Sequence, residues 1–163
     1  NKLVFGVDQH VPVARWNNKS LLLAAGNIIQ VDNIAAFQYL PQFLGVASSL
    51  SSAEEVQFAV ARFNELQREI SDVNWQIQQM EFGGEGSIAI VLRDGPRIEL
   101  GTQRYLQRLQ RIKVMTQSGL IGDWQSLASI DARYRQGVAV GWRDATAQQS
   151  FMNLLPRQSL ALH

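Results

Sequence analysis

Short apolar runs separated by turn residues fill the first third of the chain, a pattern that predicts strands. Leu3–Val7 and Val11–Trp16 are rich in β-branched and aromatic residues, and Pro12 indicates an edge or a bend in the second run. Residues 21–30 hold two apolar runs on either side of a Gly-Asn pair and predict a hairpin. Residues 37–45 are apolar around a proline and are interpreted as a connector.

The clearest helix signal begins at Ser52, which is followed at Glu55 by the acidic residue of a capping box. Behind it, apolar residues recur at helical spacing: Val56, Ala59, Phe63, Leu66 and Ile70. This stripe predicts a helix that lies on a sheet.

Three strands are predicted next, over 75–82, 88–92 and 97–100, with a glycine-rich turn after the first and an Asp-Gly turn after the second. A second helix is predicted from Thr102, with a buried stripe of Tyr105, Leu109 and Ile112. Three arginines, Arg104, Arg108 and Arg111, lie mainly off this stripe and are interpreted as a solvated helix face.

The last structured unit is predicted to be a hairpin over 129–144. Ile130, Ala132 and Tyr134 alternate with polar residues and predict a half-buried strand, which turns at 135–137. The closing strand, 138–142, is apolar on both faces and contains no Lys, Glu or Pro. It is either a central strand that is covered on both sides or a sheet edge that receives another chain. The pattern alone does not decide between them.

These elements predict an α+β fold, in which a curved antiparallel or mixed sheet carries two main helices on one face. The segment after Asp144 is rich in Gln, Ala and Ser and is interpreted as a loosely held tail.

Composition gives no sign of a catalytic, metal or cofactor site. The 163 residues include 15 Lys and Arg against 14 Asp and Glu, so the net charge of +1 does not favour a nucleic-acid partner. Cysteine is absent, and the two histidines, His10 and His163, have no nearby ligand set and no nucleophile motif. Gly83–Gly86 lacks the Lys-Ser/Thr ending of a phosphate loop. We therefore expect no catalytic residue, metal, cofactor or small-molecule substrate.

The C-terminal hairpin also resembles a known family. The run 130–142, IDARYRQGVAVGW, is similar to the C-terminal signature of the FtsQ/DivIB cell division proteins. In that signature an Asp-x-Arg-Tyr segment turns at a glycine and ends in a small-apolar strand with Gly-Trp. Pro12–Trp16 matches the Pro-x-Ala-x-Trp passage of the same family, and Gly26-Asn27, Leu40-Pro41 and Ile98–Gly101 fall at the expected intervals.

The resemblance implies a domain layout and a location. Residues 1–10 would be the end of a POTRA domain, 11–144 an FtsQ-type β domain, and 145–163 a C-terminal tail. No apolar run approaches the ~20 residues that span a bilayer, so a single membrane helix is expected upstream of this fragment. The fragment itself would be periplasmic, at the division septum of the bacterial inner membrane.

The resemblance also implies a function: a non-enzymatic divisome scaffold that binds FtsB and FtsL and so recruits and regulates septal cell-wall synthesis. The partner would add a strand to the C-terminal edge strand. The implied partner-binding residues are Arg133, Tyr134, Gln136, Gly137, Val138, Ala139, Val140, Gly141 and Trp142. The alternative is a POTRA-type module of an outer-membrane assembly or secretion protein, which also works by strand addition.

Overall fold

The structure is a computed structural model that describes residues 10–46 and 52–154. Within these ranges it contains one mixed sheet of nine strands and three α-helices, which confirms the predicted α+β class. The strands are β1 Pro12–Trp16, β2 Ser20–Leu23, β3 Ile28–Gln30, β4 Gln42–Leu44, β5 Ile77–Phe82, β6 Ile88–Leu92, β7 Arg97–Gly101, β8 Leu127–Asp131 and β9 Ala139–Trp142. The helices are α1 Ala53–Glu69, α2 Tyr105–Gln117 and α3 Ala145–Leu154. The strand predicted at Leu3–Val7 lies outside the described residues.

The strand order across the sheet is β3-β2-β1-β4-β5-β6-β7-β8-β9. The pairs β1–β4, β4–β5 and β7–β8 are parallel, and the other neighbours are antiparallel. The parallel contacts are the ones that need long crossovers, and α1 and α2 supply the crossovers into β5 and β8. Both crossovers bring their helix back onto the sheet.

A single row of directly paired residues shows how the core is built. In order, the row is Trp16, Phe43, Met80, Ile90, Ile98, Ile130 and Val140, one residue on each of seven neighbouring strands. Its first six side chains are at most 2% exposed and share one core with Leu66 of α1 and with Leu109 and Ile112 of α2. The two helices therefore cover the same face of the sheet, as predicted.

The start of α1 agrees with its sequence signal. The Ser52 hydroxyl accepts a hydrogen bond from the backbone N–H of Glu55 at 3.2 Å, which satisfies one of the unpaired donors of the first helical turn. Of the predicted stripe, four residues are buried and Phe63 is half-buried against the core.

Two segments differ from their predicted structure. The predicted connector over 37–45 contains β4, which joins β1 to β5 through parallel pairs. Three residues flanked by a proline give too short an apolar run to distinguish a strand from a loop. The segment predicted as a tail begins with α3, whose first turn is capped because Asp144 Oδ1 accepts a hydrogen bond from the Ala147 N–H at 2.7 Å.

The face of the sheet opposite the helices is polar across β5, β7 and β8. Arg97 of β7 reaches across β6 to form an ion pair with Glu81 of β5. It also forms an ion pair with Glu99 on its own strand, at 2.8 Å. Glu99 pairs directly with Asp131 of β8, and Asp131 pairs with Ala139 of β9. The last strand, β9, therefore has apolar neighbours on one face of the sheet and charged neighbours on the other.

Candidate protein-binding edge

Within the described residues, β9 pairs with β8 alone and forms one edge of the sheet. This placement resolves the choice that the sequence left open in favour of an edge. The strand is shorter than predicted, because regular pairing begins at Ala139 and leaves Val138 in the preceding loop.

The direction of the backbone groups of β9 follows from two hydrogen bonds outside the ladder. Ala132 N–H donates to Glu99 O at 3.0 Å, so alternate residues of β8, including Asp131, direct their backbone groups towards β9. Arg143 N–H donates to Ser126 O at 2.9 Å, so alternate residues of β9, including Ala139, direct theirs inward. The N–H and C=O of Val140 consequently point away from β8.

The side chains of β9 divide between the two faces of the sheet. Val140 pairs with Ile130 and Trp142 with Leu127, so both side chains lie on the helix-bearing side, where they are half-buried against the core. Ala139 is exposed on the opposite, polar side, next to Asp131. Gly141 lies on this side as well, where a Cβ would come within 2.4 Å of the Ser129 hydroxyl oxygen.

The segment between β8 and β9 corrects the predicted strand. Ladder pairing of β8 ends at Asp131, although the alternating pattern predicted a strand as far as Tyr134. Ala132 is buried, but Tyr134 is 58% exposed and lies in an irregular turn. The carboxylate of Asp131 stops the strand, because it accepts a hydrogen bond from the Arg133 backbone N–H at 3.0 Å in a local turn.

Two arginines of α2 hold this turn by its main chain. Arg111 donates to the carbonyl oxygens of Ala132 at 2.8 Å and of Tyr134 and Arg135 at 3.1 Å each. Arg108 donates to the carbonyl of Arg133 at 3.2 Å and also to that of Leu100. Interpreting these residues as a solvated helix face was therefore wrong for Arg108 and Arg111, which connect α2 to the hairpin.

Gly101 leaves the space that Arg108 needs. Its φ of +74° is a conformation that favours glycine, and a Cβ there would come within 2.7 Å of the Arg108 Nη1 and 3.2 Å of the Arg133 Cγ. The predicted strand end at this glycine thus has a second role, because it lets the guanidinium reach two backbone carbonyls.

Arg133 and Asp131 form an ion pair on the polar side of the turn. The guanidinium contacts the carboxylate in two places, at 2.9 Å and 2.7 Å. The hydrogen bonds from Arg133 hold the pKa of the Asp131 carboxyl below its usual range, against the opposing effect of partial burial. Arg133 is mostly exposed, so the stabilisation from this pair is modest.

The exposed side chain of Tyr134 lines a basic surface cavity of about 310 Å³. The other lining residues are Arg104, Gln107, Arg108, Arg111, Arg135 and Gln136. In the described part of the chain, none of these four arginines has a carboxylate within ion-pair distance. The cavity is therefore electropositive.

The other end of β9 is fixed by Arg143. Its Nε donates to the carbonyl of Gln125 at 2.9 Å, and its Nη2 donates to the carbonyl of Gly95 at 3.1 Å. Gly95 belongs to the turn between β6 and β7, so this side chain ties the edge strand to a distant loop.

The predicted binding residues lie in the turn and on β9, where they divide between the two faces of the sheet, and they differ in exposure. Arg133, Tyr134, Gln136 and Ala139 are exposed, whereas Gly137, Val138, Val140, Gly141 and Trp142 are partly buried. Arg108, Arg111 and Arg143 were not predicted as part of the site. The spacing of Arg108 and Arg111, one helical turn apart, was the available signal, but nothing in the sequence identifies backbone carbonyls as their partners.

Two other features of the described ranges bear on function. No group of three or more His, Cys, Asp or Glu side chains in residues 10–46 and 52–154 is placed to hold a metal ion. In the same ranges, no helix has both the length and the apolar character needed to cross a bilayer.

Comparison with known proteins gives a consistent result. The family model described as "Cell division protein FtsQ/DivIB, C-terminal" matches residues 14–133. Relatives named "Cell division protein FtsQ" include those of Hahella chejuensis (28% identical over 88% of this chain and 50% of the relative), Methylomonas methanica (27%, over 87% and 55%) and Escherichia coli (25%, over 87% and 51%).

The chain spans about half the length of these relatives. The family match ends at Arg133, so most of the predicted partner-binding residues lie beyond it. It nevertheless covers the sheet from β1 to β8 and both main helices. The chain therefore belongs to the FtsQ/DivIB family of cell division proteins.

Proposed function

We propose that the chain is the periplasmic binding part of a divisome scaffold, and that the β9 edge receives a strand from FtsB in its complex with FtsL. The single observation that supports this most directly is the outward direction of the Val140 backbone groups at an uncharged sheet edge. Exposed edges of monomeric proteins are usually blunted by charge or proline, and β9 contains neither. Strand addition gives affinity through backbone pairing and specificity through side chains.

The two faces of the sheet define the partner strand. Residues that continue the row of Ile130 and Val140 would extend an apolar core, so we expect them to be apolar. Residues on the other side would lie beside Ala139 and near the Asp131–Arg133 ion pair, so we expect them to be polar. The partner segment should therefore alternate apolar and polar residues along at least four positions.

The proposed scaffold works without catalysis at the septum of the inner membrane, anchored by a helix outside this fragment. Support comes from the cell-division family and from the lack of a nucleophile–base pair in the sequence. The relatives named above are cell division proteins, which favours the scaffold over the alternative of a POTRA-type module from an outer-membrane assembly or secretion protein. Turnover of a peptidoglycan fragment by the purified chain, abolished by a point substitution, would contradict the non-enzymatic part.

The test of strand addition is a pair of proline variants at the two edges of the sheet. Val140→Pro removes an outward N–H, so we expect an intact fold and at least a roughly tenfold loss of affinity for the periplasmic segment of FtsB. The control is Gln30→Pro on β3, which also removes an outward N–H, because Val31 N–H is the inward donor there. Affinity is measured by calorimetry and folding by circular dichroism.

A second variant covers the case in which Val140→Pro unfolds. Ala139→Lys places a charge on an exposed side chain of β9 without touching the core, and it should weaken binding while the melting temperature stays unchanged. Wild-type affinity in Ala139→Lys and in a folded Val140→Pro would show that this edge is not the docking site.

A further inference from the structure

The turn that precedes β9 is shaped by a neighbouring helix. Its four consecutive carbonyls, at residues 132, 133, 134 and 135, all accept hydrogen bonds from arginine side chains of α2. Ladder pairing stops at Asp131 and resumes at Ala139. Arg108 and Arg111 therefore take the place of a neighbouring strand for this segment.

The geometry requires the planar fork of arginine. One guanidinium, that of Arg111, reaches three carbonyls at 2.8–3.1 Å through two separate nitrogens of a planar group. A lysine has a single ammonium nitrogen on a flexible stem and does not offer this spread of donors. Among the described atoms, the Arg111 Nε is buried without a hydrogen-bond partner. Leaving a buried donor unsatisfied is costly. The contacts of Arg111 with the turn therefore come with the loss of a hydrogen bond at its Nε.

Charge neutralisation does not account for the arrangement. In the described part of the chain, no carboxylate lies within ion-pair distance of Arg108 or Arg111. Both guanidiniums contact main-chain oxygens instead, and these contacts fix the path of the chain. The Tyr134 side chain stays exposed beside them, and β9 begins four residues after the last of these carbonyls.

We propose that Arg108 and Arg111 are positioning residues of the docking edge, which hold residues 132–135 in the shape that a partner strand requires. This inference rests on the proposed function. A segment that is ordered before binding does not lose conformational entropy on binding, so the arginines raise affinity without contacting the partner. Their loss should therefore loosen the free turn and weaken binding together.

The experiment compares two variants of the chain. One keeps the positive charge but loses the planar guanidinium of Arg111, and the other removes a charge but leaves that guanidinium in place. Arg111→Lys keeps the positive charge and loses the fork, whereas Arg104→Gln removes a charge from the same cavity and leaves every described carbonyl contact in place. Backbone ¹⁵N order parameters of residues 133–137 are measured in the free chain. The affinity for the periplasmic segment of FtsB is then measured at high salt, where exposed charges are screened.

We expect Arg111→Lys to lower the order parameters of the turn from about 0.85 to below about 0.6 and to weaken partner binding about tenfold. Arg104→Gln should leave the order parameters unchanged. Unchanged order parameters in Arg111→Lys would overturn the inference, and so would a loosened turn with wild-type affinity. Failure of the proposed function is seen separately, as absence of binding by the wild-type chain.

Discussion

The sheet has two edges within the described residues, and the same row of paired residues ends at both. At one edge the row runs from Trp16 to Ser20 and ends at Gln30 of β3. At the other it runs from Ile98 to Ile130 and ends at Val140 of β9. Both terminal residues direct their backbone groups outward. Outward backbone groups are thus common to both edges. The edges differ in the side chain that ends the row, which is the polar Gln30 on β3 and the apolar Val140 on β9.

The supports of the two edges differ as well. β3 is a three-residue strand closed by a tight turn, and of its side chains only Ile28 packs against the core. β9 follows a turn that arginines of α2 hold, and it is fixed at its end by Arg143, which reaches the turn between β6 and β7. An edge whose neighbouring segments are held by arginine side chains and whose row end is apolar suits a partner strand, whereas an edge with a polar row end suits solvent.

The largest expected effect on folding comes from proline at an inward position. Ala139→Pro removes the N–H that points to β8, so we expect it to lower the free energy of unfolding by about 3 kcal/mol. Ile29→Pro, at the matching inward position of β3, should destabilise less because that strand is shorter. Chemical denaturation of both variants measures the difference. If Ala139→Pro were as stable as Val140→Pro, the assigned direction of the β9 backbone would be wrong.

The next prediction is that the two aromatic residues of the hairpin, Tyr134 and Trp142, differ in their effects on stability and on binding. Trp142 is half-buried on the core, so Trp142→Ala should lower the free energy of unfolding by about 2 kcal/mol. Tyr134 is 58% exposed, so Tyr134→Ala should change stability by less than about 0.5 kcal/mol while it weakens partner binding. Thermal melts and titration with FtsB measure both quantities. A large loss of stability in Tyr134→Ala, with binding intact, would contradict its assignment to the interface.

A smaller effect depends on pH at the β9 side. The pKa of Asp131 is lowered by Arg133, so the ion pair stabilises the folded chain above the ordinary value of 3.8. This stabilisation is lost as pH falls through the lowered folded-state pKa. Asp131→Asn should cost less than about 1 kcal/mol near neutral pH. In this variant the free energy of unfolding should also fall less steeply as pH is lowered into the acid range, as measured by chemical denaturation at a series of pH values. An unchanged acid limb would show that the pair contributes nothing.

The smallest effect tests the comparison directly. Gln30→Val gives the β3 edge an apolar row end like that of β9, and it should change the free energy of unfolding by less than about 0.5 kcal/mol. We expect a weak tendency to self-associate through the altered edge, measured by sedimentation velocity at increasing concentration. Gln30→Ser is the polar control. Equal behaviour of the two variants would mean that the chemistry of the row end does not separate the edges.

Much of the fold was predictable because its elements have local signals. The Ser52 capping box, the Asp94-Gly95 turn and the continuous apolar run over 88–92 each act within a few residues, and each gave the observed element. β4 was not predictable in this way, since its three residues are a strand only because β1 and β5 lie on either side.

The site was predicted in part for the same reason. An uncharged closing strand was visible in the sequence, and the structure places it at the edge of the sheet, which the pattern alone left open. The end of β8 at Asp131 was missed because a side chain–backbone hydrogen bond competes with continued alternation. Arg108 and Arg111 were misinterpreted because their partners are main-chain atoms, and those in the turn before β9 lie more than twenty residues away.

The shortness of β9 limits how long any complex at this edge lasts. Four residues extend only about 13 Å, and alternate residues face outward, so an added strand gains few backbone hydrogen bonds. At about 1 kcal/mol net for each bond, these alone do not give a slow dissociation rate. Residence time is then governed by the side chains that continue the Val140 row. A peptide of about five residues would already span the four residues of the strand, so a short synthetic peptide is enough to test pairing at this edge.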